Sequence, residues 1–268
     1  AKLRLENIIH SRTLEIQNQK KAIEIEKEKA DKLLLNILPV RIADELKSTG
    51  RCQTEFYQSV TVLFTDISGF TSISELMDPE ELVSKLDEIF TQFDDICSRN
   101  KLEKIKTIGD SHMSAGGIPV RNRTHAVDAT LAAMEMQQFM EKMRSHNPAD
   151  SIWKLRIGIN TGELTAGVVG KRKFAFDIWG DTVNTASRLQ DAGESGKINI
   201  SNRTAELVSS FFDLTYRGKK PIKHKGEVDM FFVDGIKPEL SVDGKMLRPN
   251  KAFWEKYNEL LELRFLNF

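Results

Sequence analysis

Val60-Thr61-Val62-Leu63-Phe64-Thr65-Asp66-Ile67-Ser68-Gly69-Phe70-Thr71 carries the reading of the fold. Its first five residues are apolar or β-branched and predict a buried strand. Asp66 ends that strand, and Ser68-Gly69 turn the chain toward a helix. Downstream, Leu82, Leu86, Ile89, Phe90 and Phe93 fall on one face of a helix expected from Pro79 to Cys97. Lys104–Ile108 and His112–Ala115 flank Gly109-Asp110 and predict a hairpin. A second long helix is expected from Arg123 to Met143. Leu155–Ile159 and Leu164–Val168 then read as a second strand pair around Thr161-Gly162. The order β-α-β-β-α-β is the ferredoxin-like split unit of an α+β fold, with further strands and helices expected after Asp181.

Upstream of this core, residues 1–38 contain neither Gly nor Pro. Between Glu15 and Lys32, ten of eighteen residues are charged and the two signs are interleaved, which suits a solvated helix face. Ile9, Ile16, Ile23 and Ala30 form one apolar heptad column. The companion column, Leu5, Arg12, Gln19, Glu26 and Leu33, is polar in its middle. Such a helix, about 57 Å long at 1.5 Å per residue, is expected to pair weakly in a parallel coiled coil, since alone it would bury little. A solitary solvated helix is the plainer alternative. Pro39 interrupts it, and a short amphipathic helix through Ile42 and Leu46 runs to a cap at Gly50. Four segments follow: a coil (1–38), a connector (39–58), a globular domain (59–237) and a C-terminal extension (238–268) with a terminal helix.

Composition removes several function classes. The 268 residues carry 39 Lys+Arg against 39 Asp+Glu, so no basic excess drives nucleic-acid binding. Two cysteines, Cys52 and Cys97, cannot make a disulfide scaffold and suit a reducing compartment. No apolar run approaches the roughly 18 residues of a membrane span. The chain starts at Ala1 rather than Met, and a fragment of a longer protein is expected. Histidines and cysteines are not at zinc-ligand spacing, and Gly167-Val168-Val169-Gly170-Lys171 lacks the length and the Ser/Thr of a phosphate-binding P-loop.

Taken singly, the polar residues are unremarkable. Asp66 reads as a helix cap, Asp110 as a turn residue, Lys106 as a solvated charge, and Asn184 and Arg188 as surface groups one helical turn apart. The split unit changes this, because its first strand lies beside the hairpin strand. Asp66 and Asp110 then converge at one end of the sheet. Two carboxylates about 4 Å apart repel by roughly 4 kcal/mol at an effective dielectric near 20, so a proton or cation is required. Hard oxygen ligands suit Mg²⁺ or Mn²⁺, with phosphates completing the shell.

Three blocks give the pattern a family. Phe64–Thr71, Lys106-Thr107-Ile108-Gly109-Asp110 and Asp177-Ile178-Trp179-Gly180-Asp181-Thr182-Val183-Asn184-Thr185-Ala186-Ser187-Arg188 resemble, in order and spacing, the class III nucleotidyl cyclases. Leu33–Pro39 resembles the transducer segment that precedes such domains. The resemblance implies that Asp66, Asp110 and the Ile67 carbonyl bind two divalent cations. Ser68, Gly69, Phe70 and Thr71 would wrap the β- and γ-phosphates. Lys106 and Asp177, with Ile178 beside it, would read the purine. Asn184 would orient the ribose and Arg188 would stabilise the reacting phosphorus. Lys223 and Arg172 would also reach the phosphates. Guanylyl members carry Glu and Cys where this chain has Lys106 and Asp177, so the resemblance implies ATP, an adenylate cyclase and cyclic AMP. It further implies a head-to-tail homodimer held by the coil, an upstream sensor or membrane receptor domain, and a cytoplasmic catalytic region. The rival readings are a guanylate cyclase, an inactive dimerisation module and a GGDEF-type dinucleotide cyclase. The last is disfavoured because Gly116-Gly117 is followed by Ile118-Pro119.

Overall fold

The computed structural model describes residues 2–170, 174–222, 225–244 and 247–262. Contacts divide the chain into two units: residues 1–53 with 168–176, and residues 54–167 with those from Asp177 onward.

The first unit opens with α1 (Lys2–Leu35), a 34-residue helix of about 51 Å. Ile9, Ile16 and Ile23 on it are all more than half exposed, so the apolar column expected to form a seam is uncovered in the single chain. After Pro39 comes α2 (Val40–Thr49), which ends at Gly50 with φ 73° and its N–H on the Leu46 carbonyl, as the sequence predicts. Lys47 and Asp31 form an ion pair of 2.9 Å that ties α2 back to α1.

The second unit is built on one sheet. Its elements are β1 (Glu55–Ile67), α3 (Phe70–Leu76), α4 (Pro79–Arg99), β2 (Leu102–Ile108), β3 (Ser111–Gly116), α5 (His125–His146), β4 (Leu155–Val169), β5 (Ala175–Trp179), α6 (Asp181–Asp191), β6 (Ile198–Ser201), α7 (Asn202–Val208), β7 (Phe212–Ile222), β8 (Gly226–Ile236) and α8 (Lys251–Glu262). The strands lie in the order β2-β3-β1-β4-β6-β8-β7, with β5 paired to β4 off this path. The first four strands in this order are those of the split unit. Leu63, Ile67, Phe93, Met136, Ile157 and Ile159 belong to the main core, to which β1, α4, α5 and β4 all contribute.

One expectation fails. Leu155–Val168 is a single strand, not two around Thr161-Gly162. β1 pairs with it along nearly its whole length, from Ile67↔Leu155 to Glu55↔Ala166, with a bulge between Tyr57 and Val60. Gly162 sits inside that ladder opposite Val60. A Cβ there would meet Thr182 Oγ1 at 2.5 Å, so the glycine serves close packing rather than a turn. Gly158 has the same cause: a Cβ would lie 2.2 Å from the Gln190 amide, and its absence lets α6 lie directly on β4. Helix α5 begins two residues later than predicted and runs three further.

The C-terminal helix α8 joins the main core. Phe253 is fully buried, with ring centroids 5.0 Å from Phe211 and 6.0 Å from Phe212. Tyr257 donates its hydroxyl to Asp128 at 2.5 Å and accepts from Lys101 Nζ at 2.9 Å. Phenol and carboxylate shield each other from water: burial first, then the hydrogen bond to Asp128, pushes the Tyr257 hydroxyl well above its ordinary range, and burial raises the Asp128 carboxyl.

Candidate active site

The register of the sheet assembles the acidic end of the site. β1 and β3 pair antiparallel with Thr65 opposite His112, which brings the end of β1 beside the β2–β3 turn. Asp110 Oδ2 accepts the Ile67 amide at 3.2 Å, and Ser111 Oγ donates to Asp66 Oδ1 at 3.2 Å. Asp66 and Asp110 therefore do converge. Burial first, and the Asp66 charge second, raise the Asp110 carboxyl above its ordinary value. Arg156, directly opposite Asp66 in the β1–β4 ladder, places its guanidinium on the other Asp66 oxygen.

This geometry fits a divalent cation. Two hard carboxylates face one region, and Asp66 already draws a cationic group, Arg156, to its free oxygen. Among the described residues no cluster of three or more His, Cys, Asp or Glu side chains occurs. Two such carboxylates would leave room around an ion for phosphate and water oxygens, the hard donors that Mg²⁺ takes.

At the turn after β1, the Ser68 amide donates to the Lys154 carbonyl at 2.8 Å. Together with the Ile67 contact, this commits two amides of the turn to protein acceptors. Gly69, Phe70 and Thr71 remain as the amides that can face a phosphate. Ser68 Oγ also accepts from Ser195 Oγ at 2.6 Å.

Lys106 and Asp177 come together from β2 and β5. Lys106 Nζ donates to Asp177 Oδ2 at 2.6 Å, and Asp177 Oδ1 accepts the Ile178 amide at 2.9 Å. Ile178 is buried beneath them. The pair is half-exposed, at 42% for the lysine and 20% for the aspartate, so a ligand can reach both groups. Asn184 and Arg188 share the outer face of α6, whose inner face is Thr182, Thr185, Ala186 and Leu189. Asn184 is exposed, and Arg188 makes only a local 3.3 Å contact to Asp191 among the described residues. Three clusters thus stand in the chain: the acidic end, the Lys106–Asp177 pair and the α6 face. Arg172 and Lys223 lie outside the described residues.

Arg156 was not singled out by the sequence reading. A basic residue between Leu155 and Ile157 looks like the solvated side of an alternating strand. The available signal was its position in a strand that must pair with the one ending at Asp66. Lys225, paired with Asp181 at the start of α6, was likewise missed.

Residues 52–235 match the family model described as the adenylate and guanylate cyclase catalytic domain. Atrial natriuretic peptide receptor 2 of Anguilla japonica is 38% identical over 242 residues, which are 89% of this chain and 22% of that protein. Retinal guanylyl cyclase 1 of Homo sapiens is 34% identical over 86% of this chain and 21% of its own length. The chain therefore spans about a fifth of the curated relatives it matches. The guanylate cyclase domain of RhGC from Catenaria anguillulae, solved with GTP, is 31% identical with a TM-score of 0.65, covering 68% of this chain and 100% of that one. The adenylyl cyclase CyaB from P. aeruginosa is also 31% identical, with a TM-score of 0.64 over 68% of this chain and 95% of that one.

Proposed function

The chain belongs to the adenylate and guanylate cyclase catalytic domain family, and on that premise we propose that it converts ATP to 3′,5′-cyclic AMP and pyrophosphate. The observation that carries ATP is the 2.6 Å contact between Lys106 and Asp177. Adenine offers an acceptor at N1 and a donor at N6. The ammonium can donate to the first and the carboxylate can accept from the second. Guanine offers the reverse, a donor at N1 and an acceptor at O6, and would set like against like. Mispaired polar groups in a closed site discriminate strongly, up to about 10⁴-fold.

Asp66, Asp110 and the Ile67 carbonyl would hold two divalent cations, Mg²⁺ or Mn²⁺. Bound there, the ions supply Lewis acidity at the ribose 3′-oxygen and charge neutralisation at the triphosphate. The chain's own residues position the substrate. Gly69, Phe70 and Thr71 offer backbone N–H groups to the phosphates, and Ser68 shapes the turn. Arg156, once Asp66 is engaged elsewhere, can turn its guanidinium to the triphosphate. Arg172 and Lys223 add positive charge, Asn184 fixes the ribose, and Arg188 meets the charge that develops at the α-phosphorus. No side-chain nucleophile is needed: the 3′-oxygen attacks phosphorus in line, and the P–O bond to pyrophosphate breaks.

The outward-facing α6 residues support a head-to-tail homodimer in which Asn184, Arg188 and the purine pair of one protomer serve the carboxylates of its partner. The uncovered heptad column of α1 supports pairing through a coiled coil. An upstream sensor or receptor domain and a cytoplasmic position belong to the same reading; among the described residues no helix is long and apolar enough to cross a membrane. GTP is the second reading, favoured by the names of the curated relatives. Incubating the chain with each nucleotide and Mn²⁺ or Mg²⁺, then identifying the cyclic product by chromatography, separates the two. Cyclic AMP supports the proposal; cyclic GMP alone overturns the purine assignment while keeping the family.

A further inference from the structure

We propose that Asn199 and Arg217 are positioning residues for the cyclase reaction: together they clamp the last turn of α6 and so fix where Arg188 meets the reacting phosphorus. The inference rests on the cyclase reading of Arg188 and adds two residues outside the three clusters of the site.

The last four carbonyls of a helix find no partner inside it. In α6, the Arg188 and Gln190 carbonyls take the amides of Ala192 and Gly193, each at 3.0 Å. Two further acceptors at this end are met by side chains from the sheet. Asn199 Nδ2, on β6, donates to the Leu189 carbonyl at 2.7 Å. Arg217 Nη1, on β7, donates at 3.0 Å to the carbonyl of Ala192, the residue that caps the helix. A cation at a helix C-terminus also offsets the negative end of the dipole.

Both donors are held in place. Asn199 is fully buried, and its Oδ1 has no partner among the described residues, so its donor is the end in use. Arg217 occupies a bulge: Tyr216 pairs with Phe231 and Gly218 with Met230, which leaves Arg217 without a counterpart on β8. Such bulges re-aim a side chain. Here the guanidinium lies 4.0 Å over the Phe232 ring, and its Nη2 reaches Glu194 at 3.2 Å. The two donors also converge on one buried sulfur, Met230 Sδ, at 3.3 Å from Asn199 and 3.9 Å from Arg217.

Arg188 needs such a base. Its side chain is exposed, and the Asp191 it touches is exposed too, so the backbone of the last turn sets where its guanidinium stands. The first turn is held separately, by Asn160 Nδ2 on the Thr182 carbonyl at 3.0 Å and by Thr182 Oγ1 on the Glu163 carbonyl at 2.5 Å. Loosening the clamp therefore displaces Arg188 and leaves the helix start in place. A misplacement of about 1 Å near reacting atoms can cost about 10²-fold. Because Arg188 meets charge that develops in the transition state, the cost falls on kcat rather than KM.

The test is a double-mutant cycle on initial rates of cyclic nucleotide formation by the full chain with Mn²⁺, using whichever nucleotide the parent cyclises. Arg217→Met keeps an apolar stem over Phe232 and removes the donors. It should lower kcat about 10- to 100-fold, with KM within about threefold of the parent's. In an Arg188→Ala background the same substitution should change kcat by less than about threefold, because the group it positions is gone; a general loosening of the fold would multiply through both backgrounds. Asn199→Ala should show the same pattern, so the test stands if one variant folds poorly. Tyr216→Phe, which removes the neighbouring 2.5 Å hydrogen bond to Asp229, should leave kcat unchanged. Parent-like kcat in both clamp variants, a loss confined to KM, an equal loss in the Arg188→Ala background or an equal loss in Tyr216→Phe would each overturn the proposal. Parent-like turnover in Arg188→Ala would instead overturn the reading of Arg188, and the proposal with it.

Discussion

Exchanging Lys106→Glu together with Asp177→Cys tests the purine pair at the point where it makes contact. Lys106 is 42% exposed, so its 2.6 Å ion pair with Asp177 is worth only about 0–1 kcal/mol to folding. For a domain of this size that is at most about 4 °C in melting temperature. Selectivity should move much further. Two hydrogen bonds to the base change from matched to mismatched, and a charged hydrogen bond is worth about 1.5–3 kcal/mol. The sum, about 3–6 kcal/mol, corresponds to roughly 10²–10⁴-fold in the ratio of kcat/KM for ATP over GTP. Lys106→Glu alone sets two carboxylates where an ion pair stood and should impair both nucleotides. The assay is initial-rate cyclisation of each nucleotide by parent, single and double variants, with thermal melts run alongside. A double variant that melts like the parent and keeps the parent's nucleotide ratio would refute the reasoning.

Further expectations concern other parts of the molecule. Asp66→Ala or Asp110→Asn removes a cation ligand and should lower turnover about 10³-fold or more, roughly 4 kcal/mol, with matching loss of Mn²⁺–nucleotide affinity by calorimetry; parent-like turnover would contradict the site. Burial, with the Arg203 charge, lowers His125 to about 4 from 6.5. The unfolded chain then binds the extra proton between those values, so stability rises with pH across that window and is lost as pH falls through it. Relative to His125→Gln, the parent should gain roughly 3 kcal/mol between pH 4 and pH 7 in denaturant melts, and a flat difference would count against the buried neutral ring. Phe253→Ala should cost about 3–5 kcal/mol, or roughly 6–20 °C, and an unchanged melt would mean that α8 does not complete the core. Removing residues 1–38 should make specific activity depend more steeply on protein concentration; independence of concentration would argue against dimerisation through the coil.

The split sheet was legible because its signals are local. The apolar run Val60–Phe64, the helical stripe from Leu82 to Phe93 and the turn at Gly109-Asp110 each declare their own period. The acidic pair was legible one step later, since the topology of that unit puts β1 beside β3. Gly162 misled because a glycine after Thr161 has the same local chemistry whether it turns or merely lets Thr182 approach. Only the partner strand distinguishes the two. Arg156 and Lys225 are invisible for a related reason: their roles are set by which residue stands opposite, and opposition is a property of register. The same holds for Phe253 and Tyr257, whose helix looks like any amphipathic tail until its aromatic face meets Phe211, Phe212 and Asp128.

The central claim is that Lys106 and Asp177 choose adenine in a cyclase site built on Asp66 and Asp110. Supplying the chain with equal concentrations of ATP and GTP, with Mn²⁺, and measuring the ratio of the two cyclic products tests this most directly. Cyclic AMP in large excess, abolished by chelation of the metal, is the predicted result. Cyclic GMP in equal or greater amount would contradict it.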